Sequence, residues 1–437
     1  MMIKKFKEII EKEFPKFITP NYIISNSLFF DKDEIKLFGN NIKLRKNIFV
    51  VSIGKVAYLF AKEIFYSLNL ENPKKVKIIT DIKYLVDNEY GFDIFYSTHP
   101  YLSYQSIENT KKMIDFFIEN DSEDTTFIFL ISGGGSSLFE YPLINPNLAI
   151  EIYKYILLQN LNIHQINTIR RFFSSVKSGK IFQYIKKSQV ISLIFSDVPF
   201  NDLSSISSGI TFLKKITSDD IFFVSEILKP LIDHYNIHQT LRKNFEIYED
   251  IEKNNANLDQ VFHFVLADNN FALRKLYELF VANEMNARLI SSHINLSLND
   301  LLNLIKSIII TNIDFSNTLF LLGGETNLKV IKEGFGGRLQ HLCLSVLKEL
   351  KEIKIQKEVI FFAFATDGVD GNTNRAGSVI SNQINVEVEK IKKYLDNFNS
   401  GLFFENPKNQ KYSISFPAGI NNLNELYGIF ISDISIL

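Results

Sequence analysis

The chain has 437 residues, 46% of them hydrophobic and 22% charged, with a formal net charge of −1. That length exceeds one ordinary core, so two domains are expected, and the balanced charge gives nucleic-acid binding no basic surface to rest on. The single cysteine, Cys343, excludes an internal disulfide framework and a cysteine-built zinc site.

Met1–Lys16 reads as an amphipathic helix. Ile3, Phe6, Ile9, Ile10 and Phe14 share a face and are interrupted by acids, which is not the pattern of a signal peptide. No apolar run reaches a membrane-spanning length, so the expectation is a soluble cytoplasmic protein without a membrane partner. After a polar, irregular stretch, Asn47–Tyr66 gives a strand (Ile48–Ile53), a turn at Gly54 and a helix from Val56. Lys55 thus stands at a helix N-terminus, where the dipole disfavours a cation. It either faces an anion that shares the site or is solvated. Lys75–Thr80 is the next strand. Phe92–Ser106 runs from a strand into Thr98-His99-Pro100, where proline holds His99 extended in a loop, as a ligand contact or as a histidine satisfied by backbone.

The organising stretch is Phe127–Glu140. The apolar strand Phe127–Ile131 breaks into Ser132-Gly133-Gly134-Gly135-Ser136-Ser137. Glycines permit positive φ and close approach to a ligand, and a turn after a strand presents N–H groups suited to phosphate or carboxylate. A plain Gly/Ser loop is the alternative, and the P-loop pattern is absent. Asn147–Gln159 and Asn162–Tyr184 read as helices, the second with polar groups around Asn167–Arg171 and Lys177–Lys180 near a glycine break, as a solvated face or as part of a site. Gln189–Pro199 is a buried strand ending at Ser196-Asp197, a ligand position in α/β sheets. Near-continuous apolar strands alternating with helices indicate a parallel α/β sheet covered on both faces.

Leu213–Tyr248 reads as mostly helical, and the asparagine-rich Asp250–Asp259 as a linker. The expected division is therefore 1–249 and 250–437. Val261–Ala267 and Asn286–Ser291 read as strands, and Phe271–Ala282 and Asn299–Ile309 as helices. Leu319–Leu322 is a strand into Gly323-Gly324-Glu325-Thr326, and Asn327–Ile331 alternates as a further strand. Gly334, Gly336 and Gly337 precede Arg338 at the start of a helix, repeating the Lys55 arrangement, so two cations are expected to meet one anion. The strand Val359–Ala365 ends in Thr366–Asn374, where Asp367 and Asp370 suit Mg²⁺ or form an Asx-rich turn.

Taken in order, these motifs resemble the glycerate 2-kinase family, whose C-terminal part is called MOFRL. Its G-K-A-A turn resembles Gly54–Ala57, its G-H-P is similar to Thr98–Pro100, and its S-G-G-G-S-[AS] matches Ser132–Ser137. Similar too are I-N-T-V-R to Ile166–Arg170, K-G-G-[RK] to Lys177–Lys180 and S-D-V to Ser196–Val198. G-G-E-[TP], G-G-R-N-Q-E and T-D-G-x-D-G-P-T-D-A-A-G resemble Gly323–Thr326, Gly336–His341 and Thr366–Gly377. The resemblance implies ATP- and Mg²⁺-dependent phosphorylation of D-glycerate at the 2-hydroxyl. It also implies two α/β domains, each with a mostly parallel sheet flanked by helices, the N-terminal one Rossmann-like, and an active site in the cleft between them.

By that carry-over Lys55, Asp197 and Arg338 would be catalytic. His99, Ser132, Gly133, Gly134, Gly135, Ser136, Ser137, Arg170 and Lys177 would bind substrate or phosphate. Gly323, Gly324, Glu325, Thr326, Gly336 and Gly337 would bind nucleotide, and Asp367 and Asp370 the metal. The chain would act as a monomer or homodimer on small molecules. It departs from the family pattern at Tyr101, Leu102, Ser103, Phe200, Ile210, Leu339, His341 and Asn374, and its tail keeps only Pro417, Gly419 and Asn421 of the usual T-G-P-T-G-T-N. Those departures leave open a kinase of another small hydroxy acid or sugar acid, phosphorylation at the 3-hydroxyl, or a non-catalytic binding homologue. An oxidoreductase lacks its G-x-G-x-x-G.

Overall fold

The computed structural model describes residues 2–435 except 32, 160, 231–236, 255–257 and 354. The chain divides into two compact units, Ile24–Leu266 and Met1–Ile23 with Ala267–Leu437. The boundary expected after residue 249 falls inside the helix Ile237–Asn254, whose Ile251 is buried in the core of the first unit.

In the first unit, β1 (Asn47–Ile53), β2 (Val76–Asp81), β3 (Asp93–Ser97), β4 (Thr125–Ile131), β5 (Gln189–Phe195) and β6 (Val261–Ala267) form one sheet. Its order is β3-β2-β1-β4-β5-β6, and β3 through β5 run parallel. β4 and β5 are buried at every position, which explains their unbroken apolar sequence: both faces are covered by helices. The helix α1 (Ala57–Ser67) lays Phe60 flat on Phe195, ring centroids 4.0 Å apart. The helix α2 (Tyr104–Asn120) starts at a Ser103 cap that accepts from Ser106 N, and Asn109 donates to Tyr96 O and Ser97 Oγ, fixing the exit of β3. The chain builds outward from β1 to β3, then returns to the other side of β1 with β4. Crevices in such sheets open where the order reverses, here between β1 and β4.

The helix α3 (Ile163–Phe173) ends eleven residues earlier than its sequence pattern suggests, and Lys180–Gln183 forms a separate short turn. Its Asn167, Arg170 and Arg171 are buried, so these polar groups point inward and do not form a solvated face. The polar stretch before β1 contains a small antiparallel sheet, Leu28–Asp31, Glu34–Leu37 and Asn40–Lys43.

The second unit contains the helices α4 (Asn269–Ala282), α5 (Leu298–Thr311) and α6 (Arg338–Ile353). Its sheet is formed by β7 (Asn286–Ser297), β8 (Thr318–Asn327), β9 (Lys357–Ala365), β10 (Gly377–Ser381), β11 (Ser413–Ile414) and β12 (Glu425–Ser435), in the order β7-β8-β12-β9-β10-β11. This corrects the expectation of a mostly parallel sheet: only β7 and β8 pair parallel, and the rest of the sheet is antiparallel. The physical reason is the connection. β9 reaches β10 through 366–376, too short for the helical crossover that a parallel neighbour needs. β8 stops at Asn327, and the alternating residues beyond it are loop, with Val330 and Ile331 exposed.

Alternate residues of β9 serve opposite faces, as strand geometry dictates. Phe361 and Ala363 join the core built by α5 and α6. Phe362 and Phe364 meet the N-terminal segment: Phe6 packs on Phe280, Phe362 and Phe430 at 5.4, 5.7 and 5.4 Å, and Phe14 on Phe364 at 5.5 Å. Ser415 N donates to Glu11, and Asn421 Nδ2 to Ile18 O at 2.6 Å.

Candidate active site

The carboxyl ends of β1, β4 and β5 lie side by side, with Ile53 opposite Ile131 and Ile131 opposite Ile194. The turns that follow therefore share one crest. Gly54-Lys55 and Ser132–Ser137 interlock there. Ser132 N donates to Ile53 O at 2.9 Å, Lys55 N to Gly133 O at 2.9 Å, and Val56 N to Ser132 Oγ at 3.3 Å. Gly54 is obligatory: at φ +130° a Cβ would lie 2.6 Å from Ser132 O. Gly134, at φ +95°, brings the turn against His99 and Lys55; a Cβ there would stand 3.2 Å from His99 Cδ2 and 3.5 Å from Lys55 Cγ. Asp197 follows β5 on the same crest and is half-buried. His99 is kept neutral: burial, with the charges of Lys55 and Arg170 beside it, holds its pKa down to about 3.

Behind the glycines lies a buried polar layer. Ser136 Oγ is 2.9 Å from Ser208 Oγ, which donates to Asn167 Oδ1. Lys177, fully buried, donates from Nζ to Gly135 O at 2.9 Å. Burial lowers its pKa to about 7, with Glu140 opposing. Glu140 accepts from Tyr153 O–H at 2.6 Å. Arg170 is 6% exposed and spreads over the Tyr153 ring at 5.7 Å. Its Nε has no hydrogen-bond partner. Burying a cation that makes no direct ion pair is costly; burial lowers the pKa of this guanidinium, with Glu140 opposing from the same layer. The arrangement suits a carboxylate or phosphate gripped from the crest.

In the second unit, Arg338 opens α6 and donates through Nε to Glu425 and through Nη2 to Glu325 at 2.7 Å. Glu425 is 1% exposed, and its other oxygen accepts from Thr326 N at 2.9 Å and from Tyr427 O–H. Burial pushes its pKa up to about 7, against the pull of Arg338. For Arg338, burial opposes the charge, but Glu425 and Glu325 raise its pKa overall. Asp370 accepts from Leu339 N at 3.1 Å on one oxygen and from Gln340 N at 2.8 Å on the other.

Residues 6–246 match a family described as domain of unknown function DUF4147, more than half the chain, and residues 318–424 match the MOFRL family. The chain belongs to the DUF4147 family. The motif resemblance to MOFRL-type glycerate 2-kinases is borne out by relatives of similar length. An uncharacterized protein of Caenorhabditis elegans is 30% identical over 96% of this chain and 95% of its own. The glycerate 2-kinase of Sulfurisphaera tokodaii is 29% identical over 89% and 91%. In fold, a crystal structure of glycerate kinase from Thermotoga maritima matches 98% of this chain and 99% of its own with a TM-score of 0.77, at 24% identity.

Within the DUF4147 region the structure gathers Lys55, His99, Ser132–Ser137, Arg170 and Asp197 about one crest. Lys177 is gathered with them but sits beneath, with its Nζ on the Gly135 carbonyl. The sequence reading did not place Ser208, Asn167, Glu140 or Tyr153 in the site, and an asparagine buried in an arginine-bearing helix was the available signal. Within the MOFRL region Gly323–Thr326, Gly336, Gly337 and Arg338 come together, and Glu425 joins them unforeseen. Gly337 is needed because a Cβ would meet Asp370 Oδ1 at 2.0 Å. The expected metal pair does not fit a divalent cation. Asp370 is 2% exposed and both its oxygens cap a helix, while Asp367 Oδ1 accepts from Val369 N in an Asx turn. Among the described residues no cluster of three or more His, Cys, Asp or Glu forms a cage, and none of their helices is long and apolar enough to cross a membrane.

Proposed function

We propose that this protein transfers the γ-phosphoryl group of ATP to the 2-hydroxyl of D-glycerate, giving 2-phosphoglycerate and ADP. The observation that carries the reading is Arg170, a buried guanidinium whose Nε lacks a protein partner, beside a glycine-rich turn and Lys55. A small carboxylate with an adjacent hydroxyl answers that arrangement. Arg170 pairs the carboxylate, N–H groups of the Ser132–Ser137 turn and neutral His99 orient the hydroxyl, Lys55 offsets phosphoryl charge, and Asp197 takes the hydroxyl proton. Such transfer needs positioning and charge compensation more than covalent chemistry. Mg²⁺ accompanies ATP on its phosphate oxygens, which is how this ion is held where protein carboxylates are few.

The exposed Tyr101 and Phe200, at 54% and 77%, alter the rim of the site and favour as second reading a larger hydroxy acid or sugar acid. The test is ADP release from Mg-ATP with D-glycerate, the product being passed to enolase. Immediate conversion supports the 2-hydroxyl. ADP release without conversion assigns the 3-hydroxyl, and no ADP release with glycerate but turnover with another hydroxy acid assigns the second reading.

A further inference from the structure

We infer that Glu425 is a positioning residue that presents Arg338 to the phosphate groups of a nucleotide, and that Glu325 occupies that place until the nucleotide displaces it. The two carboxylates differ in every respect that decides this. Glu425 is 1% exposed and belongs to β12, whose neighbour β8 carries Thr326. Its oxygens are engaged by Thr326 N, Tyr427 O–H and Arg338 Nε, so it has nowhere to move. The Glu325 side chain is 37% exposed and holds the guanidinium through a single bond to Nη2.

The inner edge of the guanidinium is thus fixed and the outer edge is lightly held. A partly exposed ion pair is weakly held, so an anion that grips the outer edge bidentately displaces Glu325 at small cost. Two carboxylates facing one guanidinium also leave the ligand-free triad with an excess negative charge. That charge moves to solvent when Glu325 swings out, while Glu425 keeps the guanidinium aimed. Glu325, expected from the motif to contact nucleotide, is here the nucleotide's competitor.

The naming of the anion rests on the kinase reading, so the test uses ligands that bind without turnover. ADP and inorganic pyrophosphate are titrated calorimetrically into the full-length protein and into Glu325→Gln, Glu425→Gln and Glu425→Asp. Removing the competitor tightens both ligands in Glu325→Gln by about three- to tenfold. Glu425→Gln weakens them tenfold or more, with a raised KM for ATP, and Glu425→Asp restores part of the loss, which a merely structural role would not do. Unchanged or weaker binding in Glu325→Gln overturns the displacement, and wild-type ADP affinity in Glu425→Gln overturns the positioning. If Glu425→Gln does not fold, the Glu325→Gln result decides alone. Opposite shifts in the two variants of a protein that phosphorylates neither glycerate nor another hydroxy acid would sink the kinase reading and leave this inference standing.

Discussion

Replacing Arg170 by methionine separates the site's cost from its use. In the ligand-free protein the guanidinium is 6% exposed, with its Nε unpartnered, the Tyr153 ring against it and Glu140 as an opposing charge in the same layer. Exchanging a buried, poorly compensated charge for an apolar side chain is commonly neutral or stabilising by 1–4 kcal/mol. Loss of the ring contact returns about 1 kcal/mol, and Lys177 remains to balance Glu140. Arg170→Met is therefore expected to match or exceed the wild type by up to about 3 kcal/mol in urea unfolding without ligand. Activity moves the other way. Two charge-assisted hydrogen bonds to a carboxylate, at about 1.5–3 kcal/mol each, amount to about 3–6 kcal/mol, so kcat/KM for glycerate falls by between about 10² and 10⁴ or slightly more. The assay pairs coupled ADP release with urea titration, and D-glycerate should protect the wild type but not the variant. A variant that loses 2 kcal/mol or more of stability while keeping its kcat/KM would show Arg170 to be a structural cation and refute the reasoning.

His99 titrates near 6.5 in an unfolded chain but near 3 in the fold. Between those values the unfolded state binds more protons, so stability is lost as pH falls from 6.5 toward 3, by up to about 5 kcal/mol from this group; His99→Gln should flatten that acid limb in unfolding measurements. Asp370→Ala strands two buried N–H groups of α6 and should cost about 2–4 kcal/mol in urea unfolding; an unchanged midpoint would restore the metal role. Phe200 holds φ +60° with its ring 77% exposed, so Phe200→Gly should raise stability by about 1 kcal/mol in the same assay.

The strand–glycine signals at Ile131-Ser132 and Ile53-Gly54 were readable because both cause and effect are local: an apolar run and the residue that ends it. The roles of Asp370 and Glu425 were not, because each is defined by a distant partner. The helix that Asp370 caps begins 32 residues before it, and Glu425 meets an arginine 87 residues away. A local reading cannot tell a helix cap from a metal ligand, since both want an acid among glycines. The direction of β12 was likewise hidden, because an apolar strand reads the same either way. Lys177 was assigned to the ligand through the motif it shares with the family, and burial of its long side chain leaves no mark in that motif.

The N-terminal segment has a consequence for assembly on the ribosome. Phe6 and Phe14 find their partners on Phe280, Phe362, Phe364 and Phe430, all translated after the whole of Ile24–Leu266. At about 5–20 residues per second, that wait lasts roughly 12–50 s. For that time the apolar face of Phe6 and Phe14 has no native surface to cover, while the inserted unit can close behind it. The nascent chain is thus most in need of a chaperone around Phe6 and Phe14, and the unit that carries Arg338 closes on residues made before the whole of the inserted unit.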